Sequence, residues 1–211
     1  MTRPGKTAQA STTPSRIAYA LEQLYVDQHR DFVVDTVPAV LAWVRPGRAE
    51  PATQPFDFVI EHTSGGGKPR RVVIELTWDV VALRVQDPAL ADRASRMRRG
   101  KSPEREHVSE LAAYGLALVA ISALMPGRRV IDMPRWTPPD MLFDVTPGML
   151  RGVEVAGRST GGRAALLAVR NGAGGQAGKE AVLRSAPDIA EAHLSLWCAD
   201  PRTAIMEQVK P

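Results

Sequence analysis

Asp140, Glu154 and the cations that follow them, Arg158 and Lys179, are the residues of this sequence best suited to chemistry. The stretch Pro138 to Ser159, PPDMLFDVTPGMLRGVEVAGRS, reads as two short strands joined by a turn at Thr146-Pro147-Gly148. Asp140 opens the first strand, Asp144 closes it, and Glu154 stands between Val153 and Val155 in the second. A carboxylate inside an apolar strand is costly to bury unless it is paired or holds a metal. Asp140 and Glu154 on neighbouring strands can converge on one hard divalent cation, Mg2+ or Mn2+, which prefers carboxylate oxygen and keeps several waters. Such an ion lowers the pKa of a bound water and polarises a substrate oxygen, as phosphodiester hydrolysis requires, so the pair suits metal-assisted hydrolysis. The backbone carbonyl of Val155 can add a ligand, and Glu110 on a preceding helix is an accessory candidate, as is Asp144. Strand alternation puts Glu154, Ala156 and Arg158 on one face, where a cation would stabilise charge developing on phosphate.

Each of these residues also has a plainer role open to it. Asp140 follows two prolines and can cap a turn. Asp144 precedes Val-Thr-Pro-Gly, and a turn role is its simpler assignment. Glu154 and Arg158 can form an ordinary cross-strand ion pair, and Arg158 and Lys179 read first as surface charges. His193, on an apolar strand, reads as a core histidine with its hydrogen bonds satisfied. Glu75, in IELTW, and Asp57 on the strand before it form a fallback carboxylate pair.

The elements that must position these groups follow from periodicity and punctuation. Residues 1–14 are rich in Thr, Ser and Pro and read as a disordered tail. Ile17, Leu21, Leu24 and Tyr25 recur at helical spacing, and a second apolar helical segment runs from Phe32 to Val44 around Pro38. FDFVIEH (56–62) and RVVIELTW (71–78) alternate as the strands of a hairpin, joined by the glycine turn TSGGGKP. Asp87-Pro88 starts a helix that ends near Met97 in a basic cluster. Ser102-Pro103-Glu104 starts a long helix to about Leu124, apolar almost all round in its second half and so a buried central helix. Short strands are expected at 129–133, 140–145 and 150–157. An amphipathic segment at 163–170, a glycine loop at 171–178, a short helix at 179–185 and strands at 191–197 and 204–209 complete the chain.

Composition narrows the function classes. A chain of 211 residues fits one domain, or one domain with an added subdomain. The formal net charge of +4 allows an anionic partner but does not require one. Cys198 is the only cysteine, which excludes an intramolecular disulfide, and His29, His62, His107 and His193 lack zinc-ligand spacing. The N-terminus has no apolar run of a secretory signal, and no stretch of about 18 apolar residues is expected to span a membrane, so a cytoplasmic location is expected. Gly65-Gly66-Gly67-Lys68 lacks the spacing of a phosphate-binding loop. Lys68 and Arg70 at that turn, and Arg96, Arg98, Arg99 and Lys101 at the helix end, are candidates for contact with a nucleic-acid backbone. A solvated helix end is the first reading of the second group, and a phosphate-contacting arm the second.

From Pro103 onward the element order, a long helix, three strands, a helical region and two strands, resembles the core of the PD-(D/E)xK phosphodiesterases, the restriction-endonuclease-like superfamily. Pro139-Asp140 matches the acidic residue that opens the second core strand, and Glu154 the acidic residue of the third. The resemblance covers about the last half of the chain. It implies an α/β (α+β) fold with a restriction-endonuclease-like αβββαβ core at 102–211 and an N-terminal helical and β-hairpin extension at 15–101, a candidate recognition module. It also implies a Mg2+- or Mn2+-dependent endonuclease acting on DNA ahead of RNA, either as a homodimer or as a subunit of a larger complex. The motif lysine, two residues after Glu154, is replaced by Ala156; the resemblance leaves Arg158 or Lys179 to supply that cation. If neither does, it implies an inactive nuclease-fold protein that binds nucleic acid or serves as an assembly subunit in a defence, phage or mobile-element system. One geometric outcome excludes the metal site: carboxylates of Asp140 and Glu154 more than about 8 Å apart could not share one Mg2+ ion with ~2.1 Å bonds.

Overall fold

A computed structural model describes residues 14–44, 54–99, 102–134 and 137–211. The expected tail therefore lies, up to residue 13, outside the described residues, as do Lys101 and Trp136. In chain order the elements are strand β1 (Ser15–Ala20), helices α1 (Leu24–Asp27) and α2 (Arg30–Trp43), strands β2 (Phe56–Thr63) and β3 (Arg70–Thr77), and helices α3 (Val80–Gln86), α4 (Leu90–Arg99) and α5 (Ser102–Leu124). Then follow β4 (Met141–Asp144), β5 (Leu150–Thr160), α6 (Gly162–Asn171), α7 (Lys179–Ser185), β6 (Ile189–Asp200) and β7 (Thr203–Lys210). The fold is mixed α/β.

All seven strands join one mixed sheet in the order β1-β3-β2-β7-β6-β5-β4. The N-terminal hairpin is thus part of the same sheet as the C-terminal strands, through parallel pairing of β2 with β7. The hairpins β2–β3, β4–β5 and β6–β7 are antiparallel. β5 and β6 are parallel, and the crossover that parallel pairing requires is made by α6 and α7.

The two sheet faces carry different layers. Inward residues of β2, such as Phe56, Phe58 and Ile60, alternate with more exposed Asp57, Val59 and Glu61. Phe58 lies against Trp43 of α2, Phe56 and Trp197 of β6, with ring centroids 6.3, 5.2 and 5.2 Å away. That aromatic cluster joins the sheet to α2, and α5 packs beside α2 with Leu116 to Ile121 buried. The opposite face is covered over β5 and β6 by α6 and α7, through Leu166, Leu183, Leu194 and Leu196. α5 therefore lies on one side of β5, and α6 and α7 on the other.

Several expectations need correction. Ile17 to Ala20 are not helical: Ser15–Ala20 pair in parallel with β3, which buries Tyr19 and sends Arg16 to the outer face. The free edge of β3 supplies backbone partners that outweigh the helical spacing of a few leucines. The helix α3 is absent from the periodic reading because Val81 and Val85 are exposed; Asp79 caps it by accepting from the N–H groups of Val81 and Ala82. The strand expected at 129–133 reduces to one antiparallel bridge, Asp132 to Leu142. The stretch His107–Leu124 is long and apolar enough to cross a membrane by length and composition, contrary to the expectation that no such run exists. Most of it is buried in this fold, between α2 and the sheet.

β5 and α5 meet at Gly157. A Cβ there would stand 2.5 Å from the Ser109 carbonyl oxygen and 3.0 Å from the Ala113 Cβ. Backbone of a packed helix cannot move aside, so Gly157→Ala is expected to destabilise the fold by about 1–3 kcal/mol. A thermal melt should show a drop of several degrees; a melting temperature at or above that of the wild type would show that α5 does not press on β5.

Candidate functional site

The β4–β5 register explains how Asp140 comes to face Glu154. Met141 pairs with Val153, so the next rung would set Pro139 against Val155. The ladder stops at Met141, the first residue of β4, and Pro139 has no N–H to offer the Val155 carbonyl. Asp140, immediately before β4, takes over the free donor: its Oδ2 accepts from the Val155 N–H at 2.7 Å. Its Oδ1 accepts from the Tyr114 hydroxyl of α5 at 3.3 Å. Both oxygens of Asp140 are thereby oriented.

Glu154 projects from β5 toward α7, with only 10% of its side chain exposed. Its Oε1 is ion-paired with the Nζ of Lys179, the first residue of α7. Nζ also lies 3.8 Å from Asp140 Oδ2. Both carboxylates thus touch one nitrogen, and their facing oxygens are closer together than twice that distance. The separation satisfies the limit for a shared ion. The second oxygen of Glu154, Oε2, is buried and has no hydrogen-bond partner. Burial pushes the Glu154 carboxyl above the usual carboxylate range; the negative charge of Asp140 adds to this and Lys179 opposes it. Burial, helped by Asp140 and Glu110, also raises the Tyr114 phenol well above its ordinary value.

This donor set fits a hard divalent cation. It offers two carboxylates and one buried carboxylate oxygen without a partner. The Val155 carbonyl lies on the same strand edge as the N–H that Asp140 accepts, because a strand residue points both groups toward one neighbour. Among the described residues no group of three or more His, Cys, Asp and Glu gathers around a point. A pair of carboxylates suits Mg2+, which is commonly held by one or two and keeps its waters.

The remaining candidates lie elsewhere. Arg158 is exposed at the far end of β5, four residues or roughly 13 Å of strand from Glu154, and its guanidinium donates to the Gly157 carbonyl. It does not supply the cation. Asp144 accepts from the Thr146 N–H and hydroxyl, which hold its carboxyl below the usual range and make it a turn residue. Glu110 is exposed and reaches the site only through Tyr114, 3.4 Å away. Arg70 donates to His62, Arg98 to the Leu41 carbonyl at the end of α2, and Arg99 to the Ser95 carbonyl of its own helix. Lys68 and Arg96 are exposed, on the β2–β3 turn and α4 respectively. These two basic groups lie on separate elements, and neither makes an ion pair with Asp140 or Glu154. His193 is a core histidine, bonded to Glu191 at 2.8 Å, with burial lowering its pKa. Asp57 and Glu75 are both held by Arg16. Tyr114 is the site residue that sequence reasoning missed; its signal was a polar-tipped ring one turn after Glu110 on an otherwise apolar helix.

Comparison of the chain with protein-family models, with curated proteins and with solved structures finds no match.

The metal-free site should destabilise the fold. Glu154 binds its proton more tightly in the folded chain than in the unfolded one. From the ordinary carboxylate value of 4.5 up to the raised folded value, the folded state therefore holds more protons, and stability falls as pH rises. Urea unfolding of metal-free protein should show the stability of the wild type falling relative to that of Glu154→Gln as pH rises through that window, a comparison that cancels the opposite contribution of His62 and His193, whose pKa values burial lowers. The paired change E154Q/K179M should be at least as stable as the wild type at neutral pH, since buried ion pairs are commonly replaceable without loss. A markedly destabilised double variant would contradict a site kept at the expense of stability.

Proposed function

We propose that this chain is a metal-dependent phosphodiesterase of restriction-endonuclease-like architecture, cleaving nucleic acid, with DNA ahead of RNA as substrate. The observation that carries the reading is the position of Lys179. Its ammonium lies against Glu154 and 3.8 Å from Asp140, which supplies beside the two acids the cation that Ala156 does not. The element order around it, from α5 through β4 and β5 to the α6–α7 crossover and β6, supports the same reading.

Asp140, Glu154 and the Val155 carbonyl would hold Mg2+ or Mn2+. When bound, the ion supplies a water of lowered pKa and a polarised phosphate oxygen. Asp140 is kept in its binding rotamer by the Val155 N–H and the Tyr114 hydroxyl. Glu154 presents its unpartnered oxygen. Lys179, about one-third exposed, sets a positive charge where a phosphate would gain negative charge during attack.

Incubation of the purified protein with plasmid and single-stranded DNA tests the proposal. Cleavage is expected with Mg2+ or Mn2+ and none with a chelator. Asp140→Asn, Glu154→Gln and Lys179→Met should each lower the rate by about 10²-fold or more, in line with the loss of one preorganised electrostatic contact. Tyr114→Phe should lower it less, because Asp140 keeps its backbone donor. DNA that is bound but left intact under every condition would replace this reading with that of a non-cutting nucleic-acid-binding protein.

A further inference from the structure

The stretch NGAGGQAG, Asn171 to Gly178, has no part in the proposed chemistry, yet Lys179 is the residue that follows it. Between α6 and α7 the backbone closes tightly on itself. A Cβ on Gly178 would stand 2.2 Å from the Arg170 carbonyl oxygen and 2.3 Å from the Gly172 nitrogen. A Cβ on Gly172 would stand 2.1 Å from the Gln176 carbonyl oxygen, and its φ of +86° is one that side chains rarely adopt. At the tip, by contrast, Gly174 and Gly175 have nothing within 4 Å of a built Cβ. The loop therefore has a collar of backbone against backbone at its base and an open tip. Only residues without a Cβ can close the collar.

The collar sets where α7 begins. Arg170, at the end of α6, pairs with Glu207 of β7 and with Glu180, the second residue of α7, so both helix ends are tied to the sheet around it. Lys179 is electrostatically out of place as the first residue of a helix, where anions are favoured. Glu154 and Asp140 compensate for that misplacement.

We propose that this glycine collar delivers Lys179 to the carboxylates. Gly172 and Gly178 are positioning residues that let α7 start where its first side chain reaches Glu154, and so replace a strand-borne lysine at Ala156. For its activity readout the proposal rests on the phosphodiesterase reading; for its spectroscopic readout it rests on geometry alone.

The test is lysine ammonium NMR on metal-free protein, paired with cleavage assays. An Nζ held between two carboxylates exchanges its protons slowly enough to be seen, and the Lys179 signal is assigned by its loss in Lys179→Met. Gly178→Ala should lose this signal and about 10²-fold in cleavage, the scale expected for a displacement of about 1 Å. Where Gly178→Ala does not fold, a glycine inserted after Gly178 moves Lys179 while leaving the collar intact, and should lose the same signal. Gly175→Asn at the open tip should retain both signal and rate. Adding Gly178→Ala to Lys179→Met should cost no further activity, and Ala156→Lys should restore cleavage in that background. Collar variants that keep the ammonium signal and wild-type cleavage would overturn the proposal. Cleavage unaffected by Lys179→Met would likewise remove the catalytic consequence of the collar, whereas no cleavage by the wild type would sink the phosphodiesterase reading and leave the NMR comparison to decide the role of the collar.

Discussion

The structure depends on one unfavourable act, the burial of the Glu154 carboxylate in the middle of the sheet. β5 lies between β4 and β6, with α5 on one face and α6 and α7 on the other, so Glu154 has little access to water. Lys179 satisfies one of its oxygens and nothing satisfies the other. A buried acceptor without a partner costs about 1–3 kcal/mol. Asp140 brings a second negative charge to the same place rather than relieving the first. This arrangement is poor for stability and well suited to binding a small, hard cation.

The surrounding fold is arranged so that this pair can exist. The β4 ladder stops at Met141, and the Asp140 carboxylate rather than a strand carbonyl takes the Val155 N–H. Gly157 lets α5 lie close enough to β5 for Tyr114 to reach the other oxygen of Asp140. The crossover between parallel β5 and β6 brings α7 back over the face that Glu154 occupies. The aromatic contacts of Phe58 with Trp43 and Trp197 hold the N-terminal hairpin and the C-terminal strands in one sheet. The same sheet and the same core thus support both halves of the chain.

Much of this was legible in the sequence. The hairpin strands at 56–62 and 71–78, the long helix to Leu124 and the carboxylate-bearing strands near 140 and 154 all follow from periodicity and turn residues. What was illegible depended on partners far away in the chain. Ser15–Ala20 became a strand because β3 had an open edge, which no local pattern reports. α3 hid because its valines face outward. The site divided in the same way. Asp140 and Glu154 could be singled out because acids in apolar strands need a reason. The choice between Arg158 and Lys179 turned on the course of the α6–α7 crossover, and Tyr114 entered only through the contact of α5 with β5. Spacing along one strand left Arg158 open beside Lys179, and only the three-dimensional course of the chain separates them.

Anomalous scattering from crystals soaked in Mn2+ tests the central claim most directly. The account predicts one ordered peak in bonding contact with the buried Oε2 of Glu154 and with Asp140, close to the Val155 carbonyl. Well-ordered crystals showing no peak there, with Lys179 still clamped between two metal-free carboxylates, would contradict it.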